Sequence, residues 1–317
     1  MTDVLLSPVV LFFVLGALAA VARSDLSVPE SIAKGLSLYL MAAIGLKGGV
    51  NVAASGVTAD ALAAIAVGMA LSLTIPVAAF FLLRSFGRLS PTNAGAVAAH
   101  YGSVSVVTFA AASDVLGGAG LAPAGYMVAV LALMETPAIL SGLALAQRGA
   151  GARADGGIWH EVLLNGSVVL LLGSFVIGLI AGPDGFKPVK PVFDTAFRGA
   201  LCFFLLDMGL VAARRLRDSQ ALTWRLGVLA VVFPLVNGVF GTILGNAIGL
   251  DTGSTAALGI LAASASYIAV PAAMRMALPQ ADPGVSLGMS LGITFPFNII
   301  IGIPLFTALA RALSGAA

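Results

Sequence analysis

Ala99-His100-Tyr101-Gly102-Ser103-Val104-Ser105 and, about half a chain later, Ile260-Leu261-Ala262-Ala263-Ser264-Ala265-Ser266 each set two serines, two positions apart, in an otherwise apolar run. Each is followed by an apolar span with a central proline, Met134-Glu135-Thr136-Pro137 in the first half and Thr294-Phe295-Pro296-Phe297-Asn298 in the second. Ile44-Gly45-Leu46 recurs as Met208-Gly209-Leu210, and Pro76 has its counterpart in Pro234. Side chains two positions apart on a regular helix diverge by about 200°. If both serines of a pair serve one site, the backbone there is extended. A helix broken in this way leaves free N–H groups and a positive half-helix end, which favour a small anion. The competing arrangement is two serines bonded back to carbonyls inside ordinary helices. Their recurrence at matching positions weighs towards a site.

Composition fixes the setting. The 317 residues are 59% hydrophobic and 9% charged, with mean hydropathy +1.06. A soluble domain carries about 25% charged residues, so this chain cannot cover a water-facing surface and belongs in a membrane. A net charge of +2, scattered along the chain, excludes nucleic acid as a partner. Cys202 is the single cysteine, which excludes an internal disulfide and a cysteine-based metal site.

A membrane-crossing helix needs about 20 apolar residues. Apolar runs at 5–22, 31–50, 59–83, 91–115, 122–147, 160–181, 193–213, 222–249, 253–278 and 284–313 predict ten helices, all α and without a soluble domain. Leu11–Val21 followed by small residues imitates a secretory signal, but no Lys or Arg precedes it, and it reads as the first span. The polar, glycine-rich Arg148–Gly157 stretch divides a first five-helix repeat (1–147) from a second (160–317), with 148–159 as a cytoplasmic linker. On this plan Arg23, Lys34, Arg84, Arg88, Arg148, Arg153, Arg214, Arg215, Arg217, Arg225 and Arg275 fall on one side. Lys47, Lys187, Lys190, Arg198 and Arg311 fall on the other. The excess marks the cytoplasmic face and puts both termini in the periplasm. An odd number of helices per half then inverts one repeat relative to the other, with spans four and nine interrupted at equivalent positions. Inverted repeats with interrupted polar helices at equivalent positions are the mark of a secondary transporter.

Ser90-Pro91 is an N-cap followed by proline at the first helical position, and Asp251-Thr252-Gly253-Ser254 opens the ninth span. Ser103, Ser105, Ser264 and Ser266, with Gly102 and Tyr101, are the candidate substrate residues. Glu135 lies mid-span beside a helix-breaking proline, and an intramembrane carboxylate is functional by default. Hard oxygen ligands without clustered histidine fit an alkali cation better than a transition metal. Thr294 and Asn298, around Pro296, offer neutral oxygens at the equivalent depth. For Glu135 the rival is an ion pair with Arg275. Asp207 reads equally as a second cation ligand or as a buried, hydrogen-bonded carboxylate. His100 stands alone and reads as a polar residue beside the cavity. His100 with Ser103 is also the only route to an intramembrane serine hydrolase, but no Gly-x-Ser-x-Gly elbow accompanies them. The Gly241, Gly245, Gly249 and Gly288, Gly292 strips allow close helix approach, within the chain or between subunits.

At Gly102-Ser103-Val104-Ser105, Ala263-Ser264-Ala265-Ser266, Val28-Pro29-Glu30-Ser31-Ile32 and Glu135-Thr136-Pro137-Ala138 the chain resembles the cyanobacterial sodium-dependent bicarbonate transporter family, over essentially its whole length. The resemblance implies ten transmembrane helices in two inverted five-helix repeats with spans four and nine as crossed discontinuous helices, a homotrimer in the lipid of the inner membrane, and Na+-driven uptake of bicarbonate without another cofactor. It also implies that the four serines lie at the anion and sodium site and that Glu135 holds the acidic sodium-ligand position. Val104 stands where the cyanobacterial form has glycine, and Glu135 where it has aspartate. The family's linker, which engages a PII-like regulatory protein, is here the short Arg148–Gly157 stretch. Related folds include bile-acid symporters and Na+/H+ antiporters, which keeps another small anion or carboxylate, or Na+/H+ exchange, as the alternative.

Overall fold

The computed structural model describes residues 7–56, 58–150, 166–218 and 222–315. Most of the expected 148–159 linker lies outside them. Among the described residues the chain is helical throughout, with no strand. The helices are α1 (Pro8–Val21), α2 (Glu30–Ser55), α3 (Ala59–Ser85), α4 (Pro91–Gly102), α5 (Val106–Gly118), α6 (Met127–Ala150), α7 (Gly166–Phe186), α8 (Phe197–Asp218), α9 (Trp224–Ala247), α10 (Thr252–Ala263) and α11 (Ala269–Ala277). The last, α12 (Pro283–Leu313), passes through π-helical turns at Gly288–Thr294 and Asn298–Gly302, on either side of Pro296. Each apolar run picked out in the sequence carries helix. Among the described residues, eight helical stretches are long and apolar enough to cross a bilayer, α4 and α5 counting as one, while α1 and α10 are shorter apolar helices.

Local chemistry sets the helix starts. Ser7, Thr58, Ser90 and Asp251 each accept a bond from a backbone N–H three residues on, satisfying donors that the first turn leaves open. Pro8, Pro91 and Pro283 sit near helix starts, where a missing N–H costs nothing. The α7 helix is kinked at Gly182, whose φ of 61° needs glycine, and Pro183 follows it.

Packing sorts the helices into two groups. In the first, α2 packs along α7 and α8 along α1. The recurring glycines make both contacts: Gly45 faces the Leu171 carbonyl on α7, and Gly209 faces the Phe13 carbonyl on α1. In the second group α3, α4 and α6 pack on one another, and α9, α10 and α12 do the same. Gly241 and Gly245 pack against α10, so that glycine strip serves a contact within the chain. The polar breaks lie inside the second group: the window spanning α4 and α5 is wholly buried, as is α10 from Gly253 onward. Leu18, Leu62, Phe81, Ile180 and Phe240 point outward. With so much apolar surface on long apolar helices, the chain is a membrane protein.

Candidate functional site

The paired serines are where two helices stop. α4 ends at Gly102, α10 ends at Ala263, and Ser103, Ser105 and Ser264 have extended backbone angles (φ/ψ −83/168°, −107/110° and −79/160°). This is the break that two-residue spacing requires. Gly102 permits it on the α3 side, because a Cβ there would lie 2.1 Å from Cγ of Pro76.

The two broken segments cross and bond to each other. The Ser105 N–H donates to Ser264 Oγ at 2.9 Å, and the Ser266 N–H donates to the His100 carbonyl at 2.9 Å. Ser264 Oγ donates in turn to the Leu261 carbonyl at 2.8 Å, and Ser105 Oγ caps α5 by accepting from the Thr108 N–H at 3.2 Å. Ser103 Oγ is buried with no hydrogen-bond partner.

Prolines in the supporting helices free carbonyls, and neighbouring hydroxyls take them up. Pro234 cannot donate to the carbonyl of Ala230, one turn earlier, and Thr294 Oγ1 donates to it instead at 2.6 Å. With that hydrogen committed, the Tyr101 hydroxyl donates to Thr294 at 2.7 Å. In α6 the Ser72 hydroxyl donates to the Met134 carbonyl, next to the Leu133 carbonyl that Pro137 leaves without its helical donor. Asn298 Nδ2 donates to the Ala263 carbonyl at 2.8 Å, pinning the end of α10, and its Oδ1 is buried and unpartnered. Thr294 and Asn298 therefore brace the crossing.

Glu135 is 2% exposed and lines a small cavity of about 10 Å³ with Met41, Ser105, Val106, Ser266 and Tyr267. One serine from each broken segment and the mid-span carboxylate thus meet in one place. Ser103, Ser264, Thr294 and Asn298 surround the crossing without lining this cavity, and Asp207, buried in α8, lies away from it. The side chain of Arg275, the rival partner of Glu135, lies outside the described residues. His100 and Ser103 are not bonded to each other, since the imidazole Nδ1 is engaged with the Ala96 carbonyl at 2.7 Å. The hydrolase alternative thus lacks its nucleophile–base contact in this structure.

Two larger cavities flank the break. One of about 350 Å³ lies at the C-terminal end of α5, lined by Lys47, Asn51, Phe109, Asp114, Gly125 and Arg198 among others. Here Lys47 pairs with Asp194 at 2.6 Å and Arg198 with Asp114 at 2.7 Å. The other, of about 220 Å³, lies beside α4 on the opposite side of the break and includes His100. Met41 gave no sequence signal, being one apolar residue among many in α2. The Asp114–Arg198 pair joins residues 84 apart, a contact that no local pattern announces.

A search of curated proteins returns no significant match. The model of the Na+-dependent bicarbonate transporter superfamily matches residues 8–311, nearly the whole chain, and the protein belongs to that family.

Proposed function

We propose that this protein is a Na+-coupled bicarbonate symporter of the inner membrane that works by alternating access. Its fold is ten transmembrane helices in two inverted five-helix repeats, with both termini periplasmic. The reciprocal packing supports the repeat: the second long helix of each half lies on the first helix of the other, through equivalent glycines at 45 and 209. The asymmetric distribution of Lys and Arg supports the orientation.

The observation that carries the reading is the crossing itself. Two half-helices meet at Ser105–Ser264 and Ser266–His100, with Glu135 buried alongside. A buried carboxylate with hydroxyls from both segments is a hard-oxygen setting for Na+, and Asn298, which braces the end of α10, keeps one buried acceptor, Oδ1, unpaired among the described residues. A space of about 10 Å³ is near the minimum for one water-sized occupant. It admits a bare monatomic cation and not the four heavy atoms of bicarbonate. Anion binding therefore requires the crossing segments to part, freeing the Ser105 and Ser266 N–H groups and the serine hydroxyls for its oxygens. Sodium on Glu135 offsets the anion's charge. The helix group holding the site then moves against α1, α2, α7 and α8, which connects the 350 Å³ cavity outside with the 220 Å³ cavity inside in turn.

Uptake of labelled bicarbonate into proteoliposomes under an inward Na+ gradient tests this reading. Accumulation should require Na+ and collapse when K+ replaces it. Uptake indifferent to Na+, or Na+ flux driven by a proton gradient without bicarbonate, would replace the symport reading with its rivals.

A further inference from the structure

The His100 side chain takes no part in the crossing that its own carbonyl completes. The residue is 1% exposed and borders the 220 Å³ crevice between α4, α11 and the start of α12, with Ala96, Pro271, Met274, Leu278 and Ser286. A carbonyl can only accept, so the 2.7 Å contact with Ala96 places the ring hydrogen on Nδ1. No ion pair to a carboxylate holds the ring as a cation among the described residues. Nε2 is then a bare lone pair, and it is buried with no partner among the described residues. The other polar side chain facing the crevice among the described residues, Ser286, turns its hydroxyl towards the Pro283 carbonyl. An unmet acceptor in apolar surroundings is costly unless something donates to it.

We infer that His100 Nε2 accepts the hydroxyl hydrogen of bicarbonate on the cytoplasmic side of the crossing and so selects a protonated oxyanion over one that lacks an O–H. This rests on the bicarbonate reading above. A lone pair attracts an O–H and repels a bare oxyanion oxygen. Nitrate has the planar shape, charge and heavy-atom count of bicarbonate but no hydrogen to give. A site built to bond a substrate hydroxyl rejects an analogue without it far better than an apolar pocket rejects one by size. Position supports the role. The His100 carbonyl is released when Ser266 moves away to admit the anion, so the ring borders the path at the step when the anion is free to leave.

The test is competition by nitrate against Na+-driven uptake of labelled bicarbonate in proteoliposomes. In wild type, nitrate should compete at least about tenfold more weakly than unlabelled bicarbonate, as expected for one unmade buried hydrogen bond. His100→Phe and His100→Leu remove the acceptor and should bring the two anions within a few-fold of each other, whatever happens to the absolute rate. His100→Gln, which keeps an acceptor oxygen, should restore part of the difference. Equal competition in wild type overturns the inference without any variant. Wild-type discrimination retained by a folded Phe or Leu variant overturns it too, reducing the ring to a packing residue. Wild type that takes up no bicarbonate in response to Na+ instead defeats the symport reading, and the inference falls with it.

Discussion

The backbone N–H of Ser105 donates to the hydroxyl of Ser264 across 159 residues of sequence, at 2.9 Å and out of reach of solvent. Together with the Ser266 N–H bond to the His100 carbonyl, this serine hydroxyl ties the two broken segments that, on the proposed mechanism, part to admit an anion. The four serines are in different states: Ser264 and Ser105 are engaged with backbone N–H groups, while Ser103 Oγ has no partner.

That difference predicts a split between stability and transport. Ser264→Ala strands the Ser105 N–H in a buried place, at a cost of about 1–3 kcal/mol, and should lower the thermal unfolding temperature as well as bicarbonate uptake. Ser103→Ala removes a hydroxyl that bonds to nothing in the protein, and should leave unfolding unchanged while weakening transport. Thermal unfolding in detergent, read beside uptake, checks both. Equal destabilisation by the two variants would show Ser103 to be part of the scaffold.

Glu135→Gln keeps the size of the side chain in its small cavity and removes the charge. The protein should fold, and the Na+ concentration giving half-maximal bicarbonate uptake should rise by about tenfold or more, the equivalent of about 1.4 kcal/mol of lost cation binding. Wild-type Na+ activation in a folded Gln variant would assign Glu135 to structure.

Much of this arrangement was legible in the sequence because it rests on local rules. Paired serines two apart cannot share a helix face, so a break could be placed at 103–105 and 264–266 before any coordinates. Ser90-Pro91 and Asp251 announced their helix starts, and Glu135 announced itself by being charged in an apolar run. Depth was readable too, but azimuth was not. Glu135 and Asp207 are both mid-span, yet only Glu135 faces the cavity, because the side a residue presents depends on which helices flank it. The use of Thr294 was hidden for the same reason. Its hydroxyl answers a carbonyl freed by Pro234 on α9, and no pattern within α12 reveals that neighbour.

Thr294→Val tests that bracing role. The change preserves shape but leaves the Ala230 carbonyl and the Tyr101 hydroxyl without their buried partner. Each loss costs about 1–3 kcal/mol, so the variant should unfold at a clearly lower temperature. Its Na+ requirement should stay closer to wild type than that of Glu135→Gln. A shift in Na+ activation as large as the Glu135 variant's, without destabilisation, would make Thr294 a cation ligand.

The Asp114–Arg198 pair supplies the last prediction. Asp114 belongs to α5, in the helix group that contains the site, and Arg198 to α8, in the group that packs around α1 and α2. The pair closes at 2.7 Å beside the 350 Å³ cavity, so it ties the two groups together on that side. The Asp114 side chain is mostly buried, but the Arg198 guanidinium stays largely in contact with solvent, which screens the pair and leaves it able to break in each cycle. If the two groups move against each other, a covalent link at this point should stop transport where loss of the ion pair does not. In a Cys202→Ser background, Asp114→Cys with Arg198→Cys joined by a short bis-methanethiosulfonate, which links the two sulfurs through disulfides, should lose Na+-driven bicarbonate uptake. Cleavage of the link by a reductant should restore it, and each single cysteine treated alike should keep uptake. Full transport by the linked protein, with linkage verified by mass, would mean that α5 and α8 hold their separation throughout the cycle and that the anion crosses without rigid-body movement of the two groups.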